Sequence, residues 1–333
     1  MGRVATGRAH PLGERLESRS RANVLKTKIV VTGAAGLVGQ NLLKLLDKPG
    51  HQIVAIDKHA DNLAVLRRYH PGVETILADL SQPGEWEESL RGAQVLVIGQ
   101  AQIGGLDHSE FERNNVSATE LLLAGAQRHG IEYLVHISSS VVNSRADDFY
   151  TETKKAQELL VDACAIPHIV LRPTLMFGWF DRKHLGWLSR FMQKSPIFPI
   201  PGSGRFLRQP LFVGDFTAII EAAIGGRMTG TYDISGQERI DYIDLIRGIK
   251  AATGARSAII RIPYWLFWLA LKTFALVRPN PPFTTGQLRA LATPEVFDVI
   301  DWPGIFGVPA TPLPEALKRT FGDPVFAKVA LAF

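Results

Sequence analysis

The sequence predicts an α/β protein: a doubly wound parallel sheet with a smaller lobe supplied mostly by the C-terminal half. Three observations carry this reading. Short β-branched runs alternate with helical patterns through the first half, as successive βαβ units require. The first of these strands passes into its helix through a glycine-rich turn, KIVVTGAAGLVG, Lys28 to Gly39. After Arg172-Pro173 the alternation gives way to Pro- and Gly-rich segments, which suit a lobe folded over the C-terminal edge of the sheet.

Taken in order, Ile29–Thr32 reads as a buried strand and Leu37–Leu46 as an amphipathic helix. Gly33 permits the tight turn, Gly36 lets a backbone approach a pyrophosphate, and Gly39 lets the helix pack closely on the sheet. The helix N-terminus at Leu37 and Val38 then offers unpaired N–H groups to an anion. Strand, glycine turn and helix together predict a dinucleotide site. Further strands are expected at Gln52–Asp57, Val73–Ala78, Gln94–Ile98, Tyr133–Ser138 and His168–Arg172, with helices at Ser109–His129 and Tyr150–Ala163. Pro196–Pro210 reads as loop or short strand, Phe216–Ile224 as helix, Thr231–Ile234 as strand, and Pro314–Thr320 as a last helix. The division expected is a flexible basic tail over 1–26, a Rossmann domain over 27–178 and a lobe over 179–333. Within the lobe, residues 211–235 return to the sheet.

Composition excludes several classes. A chain of 333 residues, 46% hydrophobic and 21% charged, is that of a soluble globular protein. The single cysteine, Cys164, rules out a disulfide scaffold and a cysteine-based zinc site, and reads as a small buried hydrophobe. Residues 1–28 alone carry a net charge equal to the whole +5, so the basic balance does not indicate nucleic-acid binding. This leader lacks an apolar core, which argues against a secretory signal and for a cytoplasmic protein. His129, His136, His168 and His184 show no ligand spacing, and no metal site is expected. Asp147-Asp148 reads as a helix cap. Ile262–Val277 is too short to span a membrane and is expected as a buried or substrate-facing helix rather than a membrane-surface contact, with Trp265 and Trp268 as packing residues.

Asp57, at the end of the second strand, can accept hydrogen bonds from ribose hydroxyls and repels a 2′-phosphate, which favours NAD over NADP. Lys58, Arg67 and Arg68 lie nearby and oppose that preference. Asp79, followed by Leu80, is placed to accept from an adenine amino group or to cap a helix. Tyr150 and Lys154 are four apart on a predicted helix and share a face. An ammonium beside a phenol lowers its pKa, which makes the tyrosine a usable acid or base. A serine from the preceding strand end can hold the same substrate oxygen.

With these motifs the chain resembles the short-chain dehydrogenase/reductase superfamily, in the extended or atypical branch that includes NAD-dependent epimerases and dehydratases. The glycine loop matches, as do Asn115-Val116 with Thr119 and Leu121-Leu122, the ISSS run before Tyr150 and Lys154, and Arg172-Pro173 through Phe177-Gly178. Gly202, Gly204, Arg208, Val213 and Asp215 fall in register with a later Gly-x-Gly…Arg…Val-x-Asp pattern. The resemblance implies Tyr150 as acid/base, Lys154 on the nicotinamide ribose, and Ser139 holding the reacting oxygen, with Ser140 as alternate. It also implies that Asn115 orders the site, that Gln100, Ala101 and Pro173 lie near the cofactor, and that Arg208 meets a substrate phosphate. An alternative for Arg208 is an ion pair with Asp215 across a turn. Departures are Val142-Asn143-Ser144 after the serines, Ile98-Gly99-Gln100-Ala101 on the fourth strand, and Phe206 two before Arg208. The leading expectation is an NAD-dependent epimerase, dehydratase or dehydrogenase acting on a small molecule, a nucleotide-linked sugar. Alternatives are a dehydrogenase/reductase of an apolar alcohol or ketone and a nucleotide-binding structural subunit. A homodimer is one assembly open to it.

Overall fold

A computed structural model describes residues 26–277, 285–293 and 296–332, so the expected tail lies outside the described residues but for Lys26. Seven strands form one parallel sheet: β1 (Thr27–Thr32), β2 (His51–Asp57), β3 (Glu74–Leu77), β4 (Val95–Ile98), β5 (Tyr133–Ile137), β6 (His168–Pro173) and β7 (Gly230–Ile234). Their order is β3-β2-β1-β4-β5-β6-β7, every pairing parallel. The order reverses between β1 and β4, and that switch point opens a crevice at the strand C-termini.

The central strands are buried on both faces, which explains their unbroken apolar runs. Period-two alternation divides β1 between two cores. Ile29 and Val31 join Leu42, Leu43 and Ile219 on one face, while Val30 joins Leu96, Leu122 and Val161 on the other. The first face is covered by α1 (Leu37–Leu46) and α2 (Ala60–Tyr69), the second by α3 (Ala118–Arg128) and α4 (Phe149–Asp162). Ahead of α3, a single turn (His108–Phe111) runs into a π-helical segment, Glu112–Ser117. The pattern had suggested one regular helix there; the wider turn carries Asn114 and Asn115, and such turns recur at functional sites.

The lobe has a third core, built by α5 (Leu185–Lys194), a two-stranded ribbon of Ile197–Pro201 with Ala258–Ile262, and helices introduced below. Helix α6 (Val213–Gly226) packs on α1, and β7 extends the sheet beside β6. Next come α7 (Tyr242–Thr253), α8 (Tyr264–Val277), α9 (Thr285–Ala292), α10 (Trp302–Phe306) and α11 (Leu313–Phe321). A second return went unread in the sequence. Trp302, Phe306 and Val308 join the first core, with the Trp302 indole donating to Ser235 O at 2.9 Å. Helix α8 forms where expected but is not buried. Trp265 is 66% exposed and Leu269 46%, because α7, α11 and the ribbon already close the lobe core without it. Cys164 is half-buried rather than buried.

Candidate active site

The glycine turn owes its composition to close backbone contacts. Gly33 has φ +62°, and a Cβ there would lie 2.6 Å from the Gly99 carbonyl at the end of β4. Gly99 in turn faces Thr32 O, where a Cβ would come within 2.8 Å. This accounts for the departure at Gly99: the β1 and β4 ends approach so closely that a side chain there would strike the Thr32 carbonyl, and the Thr32 hydroxyl joins them by accepting from Gly99 N–H at 3.1 Å and donating to Val97 O at 3.1 Å. A Cβ on Gly39 would meet Ala34 O at 2.4 Å, so this glycine serves closure of the loop on its own helix rather than helix–sheet packing. Helix α1 starts at Gly36 with no acidic residue in its first turn, and Leu37 and Val38 are half-buried beside the crevice. The first N–H groups of a helix lack intrahelical acceptors, so this end suits a pyrophosphate.

Asp57 is buried at the β2 terminus, accepting from Ala35 N–H at 2.9 Å and His59 N–H at 3.0 Å. It braces the glycine loop, and each carboxylate oxygen keeps a further lone pair for ribose hydroxyls. Of the nearby bases, Lys58 donates to Asn114 Oδ1 at 3.0 Å and Arg67 to Thr75 Oγ1 at 2.6 Å. Asp79 is exposed, next to buried Leu80, and caps no helix. It accepts from Ser81 N–H at 3.0 Å and Ser81 Oγ at 2.7 Å. Burial pushes its pKa up, but the Ser81 bonds with Lys58 and Arg113 prevail and hold it below the usual value. Gln100 is half-buried, its Oε1 2.5 Å from the Thr32 hydroxyl, and Ala101 is exposed.

Strand β5 delivers three serines with distinct fates. Ser138 is buried and donates to Glu158, which also holds Arg172 in a fork. Ser139 is half-buried in extended conformation, accepts from Val141 N–H, and its hydroxyl lies near enough to the Tyr150 phenol to lower its pKa. Ser140 begins a short 3-10 turn, Ser140–Asn143. Tyr150 and Lys154 sit in the first turns of α4, whose N-cap is Asp148, accepting from Thr151 N–H at 3.0 Å as its position predicted.

Lys154 is fully buried, donating to Ile137 O at 2.9 Å and Gln157 Oε1 at 2.7 Å. Burial lowers its pKa from 10.5 to about 7, against the pull of Glu158. The sequence predicted that this ammonium would lower the tyrosine pKa. Instead burial dominates and raises the Tyr150 phenol above its ordinary value; the nearby Ser139 hydroxyl lowers it and Asp148 raises it further.

Asn115 locks these parts together. Its Oδ1 accepts from Gln102 N–H at 2.7 Å, and its Nδ2 donates to Thr153 Oγ1 at 3.0 Å. Thr119 donates to Asn115 O at 2.7 Å and accepts from Gln157 Nε2 at 2.8 Å. Gln157, three residues past Lys154, carried no motif signal; only its helical phase could have suggested it. Asn143, a departure from the family pattern, donates to Asp233 Oδ1 at 2.8 Å and faces Arg172. Pro173 is buried at the end of β6, and beside it Thr174 Oγ1 is buried with no partner. That orphaned hydroxyl, the cradle at Gly33 and Gly36, and Asp57 fit a nicotinamide dinucleotide laid along the strand ends.

One predicted residue is engaged elsewhere. Arg208 is buried and donates to Leu207 O at 3.0 Å, Thr293 O at 2.8 Å and Leu291 O. It therefore caps the C-terminal carbonyls of α9. Asp215, the alternative partner, accepts from Thr311 N–H at 2.9 Å and Thr311 Oγ1 at 2.6 Å. Among the described residues no cluster of His, Cys, Asp and Glu could hold a metal.

Known proteins share this architecture. The 2-alkyl-3-oxoalkanoate reductase of Stenotrophomonas maltophilia (strain K279a) is 26% identical over 328 residues, covering 88% of this chain and 98% of that protein. A dTDP-glucose 4,6-dehydratase of Streptomyces griseus is 27% identical, covering 69% and 80%. The crystal structure of UDP-glucuronic acid 4-epimerase from Bacillus cereus in complex with NAD superposes with a TM-score of 0.67 at 20% identity, covering 89% of this chain and 96% of that one. The model of the NAD dependent epimerase/dehydratase family matches residues 29–234, which span the sheet, the glycine turn and the Ser139–Tyr150–Lys154 constellation. The chain belongs to that family, and its cofactor is NAD.

Proposed function

We propose that this enzyme is an NAD-dependent ketone reductase/secondary-alcohol dehydrogenase whose substrate carries its reacting carbon on a largely apolar body. The pairing of the Ser139 hydroxyl with the Tyr150 phenol, whose pKa it lowers, carries the reaction class, since two neighbouring hydroxyls can hold one substrate oxygen and move its proton. NAD supplies the hydride exchange at nicotinamide C4. Asp57 holds the adenosine ribose, the α1 N-terminus the pyrophosphate, and Thr174 the nicotinamide side. Lys154 is assigned to the nicotinamide ribose and, through Gln157 and Thr119, is tied to Asn115.

The raised pKa keeps the Tyr150 phenol protonated near neutral pH. It then acts as an acid, giving its proton to the developing alkoxide while Ser139 holds that oxygen, which favours the reductive direction. Two observations support an apolar substrate. The Arg208 guanidinium caps backbone carbonyls instead of standing free for a phosphate. The reductase that matches along nearly its whole length acts, by its name, on an alkyl-bearing oxo acid.

A second reading, a nucleotide-linked sugar as substrate, is favoured by the epimerase and dehydratase relatives. Turnover of NADH with long-chain 3-oxo acids set against UDP- and dTDP-hexoses tests both. Oxidation of NADH only with the oxo acids supports the first; conversion only of the nucleotide sugars replaces it with the second.

A further inference from the structure

Helix α8, YWLFWLALKTFALV, is apolar on every face apart from Lys272 and Thr273, a composition that ordinarily marks a buried helix. Here Trp265, Leu266, Trp268, Leu269 and Phe274 all lie exposed, joined by Ile260 on the strand before it. Fourteen residues extend about 21 Å, short of the roughly 30 Å of a bilayer's hydrocarbon. Among the described residues no helix is long and apolar enough to cross a membrane. What covers this face must lie against it.

Charge identifies the occupant. Between Asp244 and Glu295 the sequence holds no acidic residue and seven basic ones. Arg247, Lys250 and Arg261 line an open cavity of about 690 Å³ together with Ile259, on the segments that lead into α8 through Pro263. Arg247 also pairs with Asp244 at 2.8 Å. Further along, the Lys272 ammonium stands 4.7 Å over the Trp268 ring, an aromatic–basic pairing suited to a water–lipid boundary. A second copy of this chain docked on a two-fold axis would bring each basic cluster toward its own image, which repulsion disfavours.

We propose that α8 lies along the surface of a bilayer containing anionic phospholipids. Trp265, Trp268 and Leu269 enter the headgroup–acyl boundary, and Arg247, Lys250 and Arg261 meet the lipid phosphates. The inference is independent of the redox chemistry, and its test reads binding alone.

The full chain is sedimented at low salt with phosphatidylcholine vesicles, with and without phosphatidylglycerol. The expected result is co-sedimentation with the phosphatidylglycerol vesicles and a blue shift of tryptophan emission. Arg247→Gln, Lys250→Gln and Arg261→Gln combined should lower the partition on the order of 100-fold. Trp265→Ser with Trp268→Ser should lower it by about tenfold or more. Equal binding to both vesicle types, or binding unchanged in either variant, overturns the proposal. So does a dimer abolished by the tryptophan variant in a chain that ignores vesicles. Should a variant fail to fold, the wild-type comparison of the two vesicle types decides.

Discussion

Lys154→Met should stabilise the fold at neutral pH while abolishing most turnover, and the gain should vanish in alkali. The lysine is fully buried with its pKa brought from 10.5 to about 7 by burial. Below about pH 7 the folded chain carries a buried charge that the unfolded chain carries in water; that gap corresponds to roughly 5 kcal/mol. Because the folded pKa is the lower one, the unfolded chain binds more protons between about pH 7 and 10.5. Wild-type stability therefore rises with pH through that window.

Methionine removes this cost but leaves Ile137 O and Gln157 Oε1 without their donor, a loss of about 1–3 kcal/mol. The net gain at pH 6.5 is about 2–3 kcal/mol. At pH 9 the wild-type cost has fallen by roughly 2–3 kcal/mol, so the two proteins should be nearly equal. Urea unfolding followed by circular dichroism at both pH values measures this. A gain that does not change with pH, or a loss at pH 6.5, refutes the reasoning.

Other outcomes follow from the same site. Tyr150→Phe should bind NAD near normally while turnover falls by about 10²–10⁴; preserved turnover removes it as the proton donor. Asp57→Ala should erode discrimination between NADH and NADPH and loosen the glycine loop it braces, checked by cofactor KM and by melting temperature. His136 is buried with neither ring nitrogen partnered, and burial with the nearby Lys154 and His168 charges holds its pKa well below 6.5. Its stability cost grows as pH falls below the unfolded value of 6.5, so His136→Leu should gain about 1–3 kcal/mol, most clearly in acid; a loss in urea unfolding would reveal a partnered ring. Arg208→Ala should lower stability by roughly 2 kcal/mol through the uncapped carbonyls and weaken all substrates alike. Loss confined to phosphate-bearing ligands would restore the anion reading.

The redox half was legible because its signals are local. Strand, glycine turn and helix stand within Lys28–Leu46, and Tyr150 and Lys154 share one helix turn. The interior of that site was not. The tie from Lys154 to Gln157, Thr119 and Asn115 joins two helices, and nothing in their separate sequences sets that meeting. Nor did spacing foretell that burial would outweigh charge at Tyr150. That α8 lies exposed was not legible, because apolarity reports what a helix avoids, while the core that might have received it is filled by residues far away in sequence. The acid-free stretch after Asp244 was visible all along, masked by a whole-chain balance that the leader alone accounted for.

The Arg208 cap has a consequence for how such chains diverge. A guanidinium that fastens the end of α9 contributes to the fold whether or not a phosphate visits. A motif held in this way reports the helix end that it fastens as much as any ligand. In related sequences, the informative character is the pair formed by this arginine and the helix end beneath it.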